Sequence, residues 1–203
     1  MSKRHTHIIT EKTEILIECP LDSINGLTDL VSGQDIVGKS SGDIVWDATQ
    51  QTYQFKTQNT AQGSKGIYLE NIQLPQSFDW TTWQYGATFD VKRVDNTGGA
   101  FVCTAFWYGG SLNRCDAPVY VYYSGGNEIN LNDQNWHHVD VIWTPTAKDE
   151  YLDGNYVMSE PYTQTTWNRR QYLVYDKFMV CGTPWSTSGI AFMKNLKVWR
   201  ERL

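Results

Sequence analysis

No hydrophobic run in the chain approaches the ~20 apolar residues that a membrane-spanning helix needs. The opening Met1-Ser2-Lys3-Arg4-His5-Thr6-His7 leads into no apolar segment of a secretory signal. Membrane insertion and a signal peptide are therefore not expected. Positive charge is short as well. Lys and Arg total 17 against 22 Asp and Glu, a net charge of −5, so no basic excess draws the chain onto nucleic acid. The four cysteines, Cys19, Cys103, Cys115 and Cys181, form no CxxC spacing, which excludes a zinc knuckle or a thioredoxin-like redox motif. They read as free buried thiols, with Cys103 and Cys115 the pair that could face each other across neighbouring strands. No Asn-x-Ser/Thr glycosylation acceptor occurs.

Signatures of covalent and metal chemistry are missing too. Ser32-Gly33 and Ser40-Ser41-Gly42 lack the strand-to-helix context of a nucleophile elbow. There is no HExxH, and Thr97-Gly98-Gly99 and Ser124-Gly125-Gly126 read as hairpin turns rather than phosphate loops.

Aromatic residues are abundant: nine Trp, twelve Tyr and seven Phe make 14% of the 203 residues, beside only six Pro. Such a composition excludes disorder and favours strands. Residues 1–13 are polar without periodicity and read as a flexible arm, which leaves 14–203 as one domain, a length that suits a large β-sandwich or barrel. Short strands follow one another: Ile15–Ile17, Ile44–Trp46, Thr52–Lys56, Gly66–Glu70, Tyr85–Arg93, Ala100–Tyr108, Val119–Tyr123, Glu128–Leu131, Trp136–Thr144, Glu150–Leu152, Asn155–Met158, Gln171–Cys181 and Gly189–Arg200. The stretch Asp22–Asp43 reads as a long surface connection. In Tyr85–Arg93, Ala87, Phe89 and Val91 fall on one face and Thr88, Asp90 and Lys92 on the other, the pattern of a strand with one wet side. Asp153-Gly154 supplies the two positive φ angles of a type I′ hairpin. Strands at this spacing without a helical apolar stripe select an all-β sandwich or barrel.

Several local patterns resemble the laminin-G-like jelly-roll domains of the concanavalin A-like lectin and glucanase superfamily. Asn132–Trp143, with Trp136-His137-His138-Val139 at its centre, resembles that family's turn and Trp-His-His-Val strand. Tyr151-Leu152-Asp153-Gly154-Asn155 resembles the hairpin that follows it, Tyr85–Arg93 an upstream strand, and Gly189–Trp199 the closing strand. The resemblance implies a two-sheet antiparallel jelly-roll sandwich over residues 14–203. Within that fold Trp136, His137, Asp153 and Gly154 read as structural residues: Trp136 starts a strand and fills the space between the sheets, and His137 and His138 point to opposite faces. Many relatives hold calcium, and Asn127, Glu128, Asn130, Asn132, Asp133 and Asn135 offer oxygen ligands, although these are equally the residues of ordinary turns. Calcium is thus the one cofactor to weigh.

Glycoside hydrolases of this fold carry paired carboxylates in a Glu-x-Asp-x-Glu strand, flanking one bond at about 5–5.5 Å. The pattern is absent, and Asp149-Glu150 reads as part of a solvated turn, so no enzymatic activity is expected. Candidate ligand contacts are aromatic: Trp80 and Trp83 between strands, Trp107 and Tyr108 at a strand end, and Trp167 with Arg169 in a later cluster, since sugar rings stack on flat aromatics. These readings point to a non-enzymatic binding or adhesion module for a glycan or protein partner, extracellular or virion-associated. A fibre or decoration component of a phage virion, possible as a homo-oligomer, is the alternative, and a glycan-active hydrolase or lyase a more distant one.

Overall fold

The protein is described by a computed structural model, covering residues 12–24, 26–39, 42–57, 65–70, 81–94, 101–108, 115–122, 129–131, 133–161, 175–183 and 189–203. Fourteen strands run through these segments, and no helix occurs among the described residues. They are β1 (Thr13–Cys19), β2 (Ile36–Lys39), β3 (Gly42–Asp47), β4 (Thr52–Thr57), β5 (Lys65–Glu70), β6 (Trp83–Arg93), β7 (Phe101–Tyr108), β8 (Cys115–Tyr122), β9 (Ile129–Asn130), β10 (His137–Trp143), β11 (Ala147–Leu152), β12 (Asn155–Pro161), β13 (Tyr175–Thr183) and β14 (Gly189–Arg202). Eight form one sheet in the order β12-β11-β10-β6-β14-β4-β3, with β1 also on β14; six form the other in the order β2-β5-β13-β7-β8-β9. Every pairing is antiparallel except the short β8–β9 contact. The fold is an antiparallel jelly-roll sandwich, as the strand pattern and the resemblance imply.

Alternation decides which residues fill the sandwich. In β6, Tyr85, Ala87, Phe89 and Val91 are fully buried in the core, joined by Val139, Val141 and Trp143 of β10 and Val198 of β14. Ile36, Ile129 and Leu131 also belong to that core. Burying one such side chain contributes roughly 1.5–3 kcal/mol, so the alternation fixes the register.

The last strand is the organising element. One edge of β14 pairs with β6 along most of its length, while the other is shared, by β4 at residues 189–193 and by β1 at 196–201. At the seam the register against β6 shifts between Lys194 and Lys197, and Asn195 takes a φ of 56°. Its N–H donates to the Pro20 carbonyl at 2.8 Å, and Thr52 Oγ1 bonds the carbonyls of Leu21 (2.7 Å) and Met193 (2.6 Å). The bulge thus lets one strand change neighbours while the Asn195 N–H keeps a backbone partner.

Three expectations are corrected. The stretch Asp22–Asp43 is not merely a connection: it contains β2 and a Thr28–Asp35 bridge. Asp29, fully buried, accepts the N–H groups of Glu18 (2.8 Å), Val31 (3.2 Å) and Ser32 (3.0 Å), so a carboxylate knots the loop where hydrophobic patterning is weak. Glu150 is no turn residue. It lies in β11 opposite Val141 on the inner face, fully buried, with Lys148 Nζ at 2.8 Å. Burial pushes its carboxyl above the usual range, against the Lys148 ammonium. Cys115 stands opposite Trp107, so Cys103 and Cys115 do not face each other. Cys19 is a free buried thiol, as expected, its pKa raised by burial. Residues 1–11 of the expected arm lie outside the described residues.

Candidate functional site

Pairing of β10 with β6 places the two adjacent histidines on opposite faces. His137 stands opposite Val91 and so points inward, at the rim of the core; His138 stands opposite Asp90 and points outward. Each imidazole is held between two carboxylates, but to different ends.

His137 is a structural tie. Its Nδ1 bonds Asp153 Oδ2 at 2.7 Å and its Nε2 bonds Asp133 Oδ1 at 2.9 Å. Burial works to lower its pKa, but the two carboxylates outweigh it and raise it, while His137 and the Asn135 N–H hold Asp133 well below the carboxylate range. Asp153 also bonds β10 through its backbone: its Oδ1 accepts the His138 N–H at 2.9 Å and its own N–H donates to the His138 carbonyl at 2.8 Å. With φ angles of 49° at Asp153 and 74° at Gly154, and Leu152 opposite Asn155, the hairpin is the two-residue turn that the sequence specifies. His137 and Asp153 thus tie the hairpin to the start of β10. Of the oxygen ligands offered for calcium, Asn135 Nδ2 donates to Asp133 Oδ2 at 3.0 Å, and Asn127, Glu128 and Asn132 lie outside the described residues. Among the described residues no group of three or more His, Cys, Asp or Glu is arranged to hold a metal ion.

His138 belongs to the outer face of the eight-stranded sheet. Its Nδ1 donates to Asp90 Oδ1 at 2.7 Å, and Asp140 Oδ1 lies 3.3 Å from Nε2. The Asp140 and Asp90 carboxylates together push the imidazole up to about 10, which favours its protonated form at neutral pH; the Nδ1–H is hydrogen-bonded to Asp90, while Nε2 stands within ion-pair range of Asp140. Asn195 Nδ2 donates to the other Asp90 oxygen at 2.7 Å. Burial works to raise the Asp90 pKa, but these bonds outweigh it and hold the carboxyl below its ordinary value. The bulge in β14 delivers Asn195 to this position, as bulges beside functional sites do.

Aromatic residues flank this polar set on the same face. Tyr151 of β11 stands opposite Asp140 and opposite Tyr156 of β12; the two rings meet edge to face at 5.8 Å, and Tyr156 is 59% exposed. On the far side Lys194 Nζ lies 4.4 Å over the Trp136 ring, which also packs on Phe192 at 6.4 Å. Trp136 is thus not between the sheets, where the sequence places it. It precedes the first residue of β10 by one and shares the outward parity of His138. Toward the opposite end of the strands the same face closes into an apolar layer, with Ile142, Gly86 and Trp199 in one cross-strand row and Trp199 fully buried.

The aromatic contacts singled out in the sequence fare differently. Trp83 opens β6 on the inner side, packed against the core, with the Arg200 guanidinium 4.4 Å over its ring; it is a plug, not a free platform. Trp107 and Tyr108 end β7, but their side chains lie outside the described residues, as do Trp80, Trp167 and Arg169 altogether. Sequence reasoning passed over Asp90, His138, Tyr151, Tyr156 and Asn195 as site residues. One signal for Asn195 was present: the inward residues of β14 change parity from Ala191 and Met193 to Leu196 and Val198, which a bulge must absorb.

No protein-family model matches the chain, and neither does any curated protein. Solved structures do match. Domain 4 of an extracellular GH43 arabinanase from Geobacillus stearothermophilus, solved with arabinotriose, aligns with a TM-score of 0.52 at 14% identity over 95% of both chains. An alginate lyase of polysaccharide lyase family 7 aligns at 0.52 with 9% identity, over 91% of this chain and 94% of that one. The botulinum neurotoxin serotype G binding domain gives 0.56 at 13% identity, over 94% of this chain, which spans 48% of that one. At these identities the likeness is one of fold, and it accords with a concanavalin A-like jelly roll.

Proposed function

We propose that the chain is a non-catalytic module that binds carbohydrate on the outer face of its eight-stranded sheet. The observation that carries this reading is the exposed Tyr156 ring standing beside Tyr151 on the same face as a fixed polar set, Asp90, His138 and Asn195. Aromatic faces stack on sugar rings while rigid carboxylate and amide groups bond their hydroxyls. The raised pKa of His138 leaves little neutral imidazole to act as a base at neutral pH, which favours binding over proton transfer. A fold shared with an arabinanase domain solved with arabinotriose is compatible with the reading.

A glycan array probed with the purified chain, once with calcium and once with chelator, tests this. Specific signal should appear in both buffers, fall with Tyr156→Ala and survive Trp83→Ala. A blank array in both buffers contradicts it.

A further inference from the structure

We infer that the ligand is an uncharged oligosaccharide chain lying across the strands, an inference that rests on the carbohydrate-binding reading above. The groups that make the face sticky are not gathered in one spot. They run from Tyr156 on β12 through Tyr151 on β11, His138 on β10 and Asp90 on β6 to Asn195 on β14, neighbours in the sheet order. Four steps between strands at about 4.8 Å make a strip about 19 Å long. That exceeds a single sugar ring several times over. Exposed groups stand at both ends, Tyr156 at one and Asn195 at the other, so a ligand that uses both ends must be a chain.

Charge decides the class of sugar. Among the described residues the cations beside the strip have these neighbours: His138 lies between Asp90 and Asp140, Lys197 Nζ is 2.8 Å from Glu18, Lys194 covers the Trp136 ring, and Lys92 donates to Gln50 Oε1 at 3.3 Å. A uronate or other acidic sugar seated on the strip would stand against the Asp90 and Asp140 carboxylates, a like-charge contact. Hydroxyl groups avoid it. They donate to the remaining lone pairs of Asp90 and accept from the exposed Tyr156 hydroxyl.

Isothermal titration with three neutral series (manno-, gluco- and arabino-oligosaccharides, from one to six units) and with oligomannuronates of matched length tests the inference. Affinity for one neutral series should rise by about tenfold or more from the disaccharide to the tetrasaccharide and then level off, each added stacking or hydrogen-bonding contact being worth about 1 kcal/mol. The matched uronates should bind at least about tenfold more weakly, the cost of an unpaired charge. Tyr156→Ala and Asn195→Gly should each remove part of the length gain while the melting temperature of Tyr156→Ala holds. Length-independent binding, or a preference for the uronates, overturns this inference and leaves the carbohydrate reading standing. Silence toward every probe overturns the carbohydrate reading itself.

Discussion

At Gly86 an added Cβ would lie 2.0 Å from Cζ2 of Trp199, whose fully buried indole crosses the strand there. The position is fixed by close approach rather than by backbone angle. Gly86→Ala should cost about 3 kcal/mol through overpacking, read as a lower urea midpoint with an unchanged slope, and Trp199→Phe in that background should recover part of it. His138 makes a prediction of the other kind. Its folded pKa is raised from the ordinary 6.5 to about 10, so the stability it contributes is fully present below pH 6.5 and is lost as pH rises through about 10. NMR titration of its ring should find a cation well above pH 7, and His138→Gln should flatten the fall in stability across that alkaline window. An ordinary titration near 6.5 would show that the clamp between Asp90 and Asp140 does not hold in solution.

Strands explain how much of this was readable in advance. β6 was legible because Ala87, Phe89 and Val91 alternate strictly with Thr88, Asp90 and Lys92, and the β11–β12 hairpin because Asp153-Gly154 admits few other turns. β2 was not, since its four residues sit in a Gly- and Asp-rich stretch and gain their place from pairing with β5. Trp136 was misplaced because a hydrophobic ring at a strand start reads as core, whereas parity with His138 puts it outside. β11 shows the limit of charge as a surface signal. Lys148 is 1% exposed and Glu150 fully buried, 2.8 Å apart, with Glu160 3.1 Å from the same ammonium. Lys148→Met alone should cost about 3–5 kcal/mol by stranding a buried carboxylate, whereas Lys148→Met with Glu150→Leu should come close to neutral. Chemical denaturation of both variants checks the difference.

Across the larger sheet the two faces divide the labour. Its inward face carries an apolar core with the Lys148–Glu150 pair set into it, and its outer face changes along the strands from the closed Trp199 layer to the open strip around His138. Strand parity announced the division, and the parity change in β14 marks the bulge; the cross-strand neighbours that compose the strip come from residues as distant as Asp90, Tyr156 and Asn195, joined by a sheet order that one strand cannot reveal. Fold alone does not assign the ligand. The most direct test is a two-dimensional NMR titration of the isotope-labelled chain with the strongest neutral glycan from the array. Binding at this face should shift the amides of Asp90, His138, Tyr151, Tyr156 and Asn195 together and leave the Arg200–Trp83 corner still. Saturable shifts confined to other surfaces, with those five amides unmoved, would contradict the account.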